Sequence, residues 1–393
     1  MNNVTRPTFR KPPPEGVTEI VGIIGRGWSL VELKNGMLMA VGGNVCRIST
    51  DDGLIWSQAK PLPDGVKGNG IIRLKSGTLA VYNETQMCLS PDEGETWSAA
   101  LPIEVLGSPY YATMVELNNG RLLSPNRTCY ANPHHTDLPK EHLDTYGLWR
   151  GIRRQLAGHY HYPEIDIASV NYSDDEGQTW QRCEGTLMGW FDSHGIPNGY
   201  SGITACDEPS VAETKDGRTL FFARSTVGRI VQSYSRDAGV TWTAVRPNAL
   251  AASYSPPRLV SIPDTGDLMC VWNQVSREEI RQGYRRGRLS VAISEDSGAS
   301  WKNFRVVEVS AGLEDVDRIL PEAPITPVIG LPDVGQIPDD FAVFRYPNVC
   351  FAKGKVYIMY AREWFFADAE NPGEVKMKAE VVLRIYSLDY FYR

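Results

Sequence analysis

No stretch of the 393-residue chain is apolar for the roughly 18–20 residues that a bilayer-crossing helix needs, which argues against a membrane span. A basic stripe is also missing. At a net charge of −7 the Lys and Arg residues are scattered, so a nucleic-acid polyanion is not an expected partner. The seven cysteines are odd in number and never spaced C-x-x-C, which argues against a disulfide frame or a zinc site and for buried free thiols. The opening MNNVTRPTFRKPPPEG lacks the apolar centre of a secretory signal and reads as a polar lead-in over residues 1–16. A chain that begins natively at Met1 is expected in the cytoplasm; one from which a signal had been cleaved would be secreted or periplasmic.

What the chain does have is repetition, and self-similarity decides architecture before any single motif does. The pattern Ser-x-Asp-x-Gly-x-x-Trp occurs five times, in ISTDDGLIWS, LSPDEGETWS, YSDDEGQTWQ, YSRDAGVTWT and ISEDSGASWK. Upstream of each stands an apolar run, a glycine turn and a second apolar run: LVELKNGMLMAV, IIRLKSGTLAVY, MVELNNGRLLSP, SVAETKDGRTLFF and LVSIPDTGDLMCVW. Asn-Gly or Asp-Gly between alternating apolar residues marks a tight β-hairpin, because the turn needs positive φ. In the first two repeats the turn glycine (Gly36, Gly77) precedes the box serine (Ser49, Ser90) by 13 residues, room for one further strand and a return. Each repeat therefore reads as four strands. A sixth copy, CFAKGKVYIMYAREW, keeps the hairpin and has lost the box.

Six four-stranded units, each unable to bury both faces alone, are best satisfied by stacking radially about an axis. The expectation is an all-β, six-bladed β-propeller forming a single domain over residues 1–393. VTEIVGIIG would pair with the last blade to close the ring, and blade three would carry a long insert at 127–166. Within each box the Asp can accept backbone amides, Gly supplies the unusual backbone angle and Trp packs between sheets. Asp51, Asp92, Asp175, Asp237 and Asp296 are thus fold staples on outer turns and not candidates for chemistry.

Five such boxes with six hairpins resemble the sialidase (neuraminidase) superfamily, known for its Asp boxes, over nearly the whole chain. That resemblance implies a central site in which three arginines hold a substrate carboxylate and a tyrosine, activated by a glutamate, attacks the sugar. Arginine offers a permanently charged planar fork matched to a carboxylate. Tyrosine suits an anomeric carbon that itself bears a carboxylate, and sialidases are a known exception to the two-carboxylate scheme of glycosidases. RGWSLVELKNG is similar to the family's first-blade Arg-Ile-Pro-Ser-Leu and places Arg26 on the first arginine, with Gly27 and Trp28 replacing Ile-Pro. CDEPSVAETKDGRTLFFARST resembles the fourth-blade segment, placing Glu208 as the tyrosine's partner and Arg224 as the second arginine. In GYRRGRLSVAISEDSG the third is Arg286, with Arg288 as the alternative, because strand alternation would send both to one face and Arg285 away. FRYPNVCFAKGKVYIMY sets Tyr346 on the nucleophile.

One family feature is missing. The first-blade loop that carries the family's general-acid Asp is here VGGNVCR, without any acid. Replacements are expected in the blade-three insert, which holds His134, His135, His142, His159 and His161, or at Asp192 beside His194; His135 and Asp192 are the leading candidates. The histidine spacings do not favour a metal, and the chemistry requires no cofactor. The function this implies is a retaining exo-glycosidase that releases a terminal acidic sugar, sialic acid or a relative, from a glycan. Two other classes use a similar pocket: a propeller-fold lyase acting on uronate-containing polysaccharides, and a non-catalytic carbohydrate-binding propeller.

Overall fold

The computed structural model describes residues 13–22, 28–103, 113–130, 145–157, 165–191, 202–322, 333–367, 371 and 374–393. Among them are six four-stranded antiparallel sheets, arranged as the blades of a propeller at residues 29–61, 70–102, 115–182, 207–251, 258–309 and 342–387. Each of the first five sheets is a meander in chain order. The sixth takes its fourth strand from the other end of the chain: Thr18–Val21 pairs antiparallel with Val382–Ile385, closing the ring. The hairpin glycines read from the sequence adopt the left-handed conformation they were expected to supply, with φ of +81° at Gly36 and +91° at Gly77.

First strands of neighbouring blades touch and so line the axis. Two are stitched by a serine hydroxyl: Ser29 accepts from the Ile71 amide at 2.6 Å, and Ser210 accepts from Leu259 at 3.1 Å. Between the sheets lie six apolar clusters, one for each interface around the ring. Second strands serve two of them at once, because successive side chains point to opposite faces. In LMAV of blade one, Leu38 and Ala40 pack towards blade six while Met39 and Val41 pack towards blade two. This is why these short strands read as unbroken apolar runs and not as alternating ones.

The boxes lie between third and fourth strands and act as staples. In the first, Ser49 Oγ donates to Asp51 Oδ1 at 2.8 Å and accepts from the Gly53 amide at 2.9 Å, while Asp51 Oδ1 accepts from the Ile55 amide at 2.8 Å. The box glycines face the preceding blade: a Cβ on Gly94 would stand 2.9 Å from the Met39 methyl, at a φ of +94°. Of the box tryptophans, Trp56 and Trp301 are buried, whereas Trp97, Trp180 and Trp242 are half-buried beneath the neighbouring sheet.

A meander puts the start of the first strand and the end of the second on one face of the ring, and the box turns on the opposite face. The link between the second and third strands of blade three emerges on the first of these. Arg127–Tyr130 and Ile165–Asp166, expected in the insert, instead extend the flanking strands Leu122–Tyr130 and Ile165–Ser173. Between them a hairpin, Thr145–Trp149 with Ile152–Ala157, reaches the segment joining blades five and six. Trp149 packs there with Tyr284, Ile337 and Phe341 and donates its indole N–H to the Asp339 carbonyl at 2.9 Å.

Candidate active site

Proline shapes the two first strands that matter most. Pro209 and Pro347 have no N–H to give to a ladder, so pairing is interrupted between Asp207 and Ser210 in blade four and between Arg345 and Asn348 in blade six. In each interruption the residue before the proline takes a left-handed backbone: Glu208 at φ +46° and Tyr346 at φ +54°. Such conformations are disfavoured for residues with a side chain and persist where the surrounding structure over-determines them, often at functional sites. Both stand at the same end of the ring.

Pairing of Asp207 with Arg224 across the blade-four hairpin brings the strand start and strand end together, as the turn at Gly217 leads one to expect. Arg224 Nη1 lies 2.5 Å from Glu208 Oε2, and its Nε donates to Asp207 Oδ2 at 2.7 Å, with Nη2 on the same oxygen. All three side chains are buried. Burial pushes the Glu208 carboxyl up to about 7; Arg224 opposes the shift and Asp207 adds to it. Burial works against the charge of Arg224, but Glu208 and Asp207 more than compensate and hold its pKa well above the ordinary value.

Tyr346 is half-buried and so reachable from solvent. The Arg286 guanidinium lies 5.2 Å from its ring centroid, and both Arg224 and Arg286 feel Tyr346 and Glu208 electrostatically. Arg286 Nη1 is buried without a hydrogen-bond partner among the described residues. Burial, with Arg345 as a second cause, lowers the pKa of Arg286 from its usual value. A buried donor on a destabilised cation is a receptor for an anion.

The structure separates Arg288 from this group. The strand of blade five begins at Arg288, while Arg286 stands in the turn before it, so the alternation argument that put both on one face does not apply. Arg288 is fully buried, paired with Glu279 at 2.8 Å on the short helix Arg277–Arg281, and also donates to the Gln274 and Glu314 carbonyls. Arg26, Asp192, His135 and the other five histidines lie outside the described residues. Among the described residues, no group of three His, Cys, Asp or Glu could hold a metal ion, and no helix is long and apolar enough to cross a membrane.

Four neighbours of the cluster escaped the sequence reading. Arg127 Nη1 lies 3.1 Å from Asp207 Oδ1 and 3.8 Å from Asp166 Oδ1. The Tyr254 hydroxyl lies within hydrogen-bond reach of Asp166 at 2.9 Å and of Asp207 at 3.2 Å, and its ring supports the Arg224 guanidinium at 4.1 Å. A signal for Arg127 existed: it stands seven residues past the turn glycine Gly120, as Arg224 stands seven past Gly217, at the site end of a second strand. Asp207 adjoins Glu208 in the quoted motif. Tyr254 and Asp166 carry no comparable mark.

A family model described as a BNR repeat-like domain matches residues 82–358. No protein of curated function matches the chain by sequence. Among solved structures, a protein of unknown function from Dyadobacter fermentans is similar at a TM-score of 0.51 and 14% identity, over 94% of this chain and 99% of that one. The NanB sialidase from Streptococcus pneumoniae is similar at 0.50 and 13% identity, over 97% of this chain and 70% of its own. An α-L-arabinanase from Penicillium chrysogenum follows at 0.45 and 12%, over 95% and 99%. At these identities the likeness to the first two shows the fold alone, a sialidase-like propeller.

Proposed function

This chain belongs to the BNR repeat-like family, and from that premise we propose that it is a glycoside hydrolase that releases a terminal acidic sugar from a glycan. The observation that carries the reading is Tyr346: a reachable phenol in a left-handed bulge, felt electrostatically by Arg224 and Arg286, the same two arginines that feel the buried Glu208. A carbohydrate substrate also agrees with the sialidase-like fold. Because the blade-three hairpin ties down to blades five and six on the site face, it walls that face and favours a chain end over a chain interior.

In this mechanism the Tyr346 hydroxyl oxygen attacks the anomeric carbon as the glycosidic C–O bond breaks, and Glu208 takes the phenolic proton. A carboxyl held near pH 7 is matched to that task, since it accepts a proton at little driving-force loss under neutral conditions. The departing oxygen needs a proton from a general acid, a role we assign to His135 or Asp192. Water then attacks the glycosyl–tyrosine, giving its proton to the general acid left deprotonated by the first step, while Glu208 returns the proton to the departing phenolate oxygen, and the free sugar leaves. Arg286 receives the substrate carboxylate.

The test is a product assay on a panel of sialic-acid-terminated and uronate-terminated glycans. Release of saturated acidic monosaccharide, reduced about a hundredfold or more in Tyr346→Phe, is the expected result. Appearance of an unsaturated, ultraviolet-absorbing product would transfer the site to lyase chemistry. Saturable binding without any product would make the propeller a binding module.

A further inference from the structure

Asp207 is engaged in a way that an open anion site would not show. Its two oxygens hold two arginines from different blades: Oδ2 fills the Nε/Nη2 edge of Arg224, and Oδ1 takes Arg127 Nη1 at 3.1 Å. The other end of Arg224 is on Glu208. The edge that would clasp a substrate carboxylate side-on is therefore already occupied by a carboxylate of the protein. Arg345 is likewise taken, by Glu363 at 2.6 Å. Among the described arginines of the cluster, Arg286 keeps a donor without a partner.

We propose that Asp207 is a specificity-determining residue, a built-in carboxylate that occupies the anion seat of Arg224 and Arg127 and leaves the substrate's acidic group to Arg286. The inference rests on the reading of this pocket as an acidic-sugar site and deepens it. The consequence is a pocket suited to a sugar with one carboxylate held by a single arginine, and only modestly selective for that acid over its neutral ester. Asp207 is completely buried, and Tyr254 together with the Glu208 amide at 2.6 Å fixes its orientation, so the seat is filled before substrate arrives. Replacing it by asparagine keeps the shape and removes one negative charge, leaving the positive charge of the two arginines less compensated towards any anion that enters.

The experiment is calorimetric titration of the whole protein with N-acetylneuraminic acid, D-glucuronic acid and their methyl esters, which requires no turnover. In the wild type the acids should bind at most about tenfold tighter than the esters, and Arg224→Lys should change this little. In Asp207→Asn the acids should gain about tenfold or more while the esters gain nothing, and adding Arg224→Lys should remove the gain. Unchanged or weaker acid binding in a folded Asp207→Asn protein, or acid affinity in the wild type that collapses with Arg224→Lys, overturns the proposal. If Asp207→Asn does not fold, a crystal of the wild type soaked with either acid decides: a sugar carboxylate away from Arg224, with the Asp207 pair intact, supports it, and a carboxylate in the Arg224 fork refutes it. Which of the two acids gains more identifies the sugar class. A gain in acid affinity without turnover of any glycan would uphold this inference while the hydrolase reading fails.

Discussion

Glu208 is placed where its own charge is penalised, and that placement makes activity and stability pull in opposite directions. Burial raises its folded pKa to about 7 from the ordinary 4.5. The folded state therefore holds a proton that the unfolded chain has released, and the stability tied to this group is full below about 4.5 and lost as pH rises through about 7. Glu208→Gln, always neutral, should match the wild type at pH 4 and exceed it at pH 8 by about 1–3 kcal/mol in denaturant unfolding, while losing nearly all turnover. On the proposed mechanism, kcat/KM of the wild type should fall as pH drops below about 7, where Glu208 takes up a proton and would no longer accept one from Tyr346. Glu208, Arg224, Arg286 and Tyr346 were named in the sequence through segments that resemble the sialidase family, and the structure brings the four together at one end of the ring. Sequence reading missed Asp207 and Tyr254 because what matters about them is the company they keep across blades, which no local pattern records. Arg288 misled because the strand was taken to start two residues before it does.

At the scale of elements, the Asp boxes were legible as staples from their recurrence alone, since a single active site has no reason to be built five times. Each satisfies the same set of amides. In the fourth box Asp237 accepts from Ser235 Oγ and the Thr241 amide, both at 2.8 Å, and from the Thr241 hydroxyl at 2.5 Å. Asp237→Ala should lower unfolding free energy by about 1–2 kcal/mol and leave kcat and KM of the surviving folded protein unchanged. A loss of turnover larger than the loss of folded protein would return the boxes to the list of catalytic candidates. The proline-interrupted first strands were less legible. Glu-Pro and Tyr-Pro announce a break in pairing, but nothing in the dipeptide itself calls for the left-handed backbone that Glu208 and Tyr346 adopt.

For the whole molecule, closure of the ring depends on Thr18–Val21, and the sequence suggested this from an apolar segment with no hairpin of its own. The charges that secure it were not visible. Glu19 pairs with Arg384 at 2.8 Å and with Arg362 at 3.2 Å, and Arg362 also reaches the buried Glu308. Removing one member of such a buried network leaves the others uncompensated, so Glu19→Ala should destabilise by about 3 kcal/mol and speed amide exchange in Val375–Ser387 ahead of the other blades. The ring in turn holds Glu208 and Arg224 from blade four, Arg286 from blade five and Tyr346 from blade six at one end of the axis. That this assembly forms a covalent bond to sugar is the central claim. The direct measurement is mass spectrometry of the protein after exposure to a fluorinated acidic-sugar inactivator: a single glycosyl adduct on the peptide bearing Tyr346, absent in Tyr346→Phe, is the predicted result, and inactivation with an adduct elsewhere, or continued turnover by the Phe variant, would contradict it.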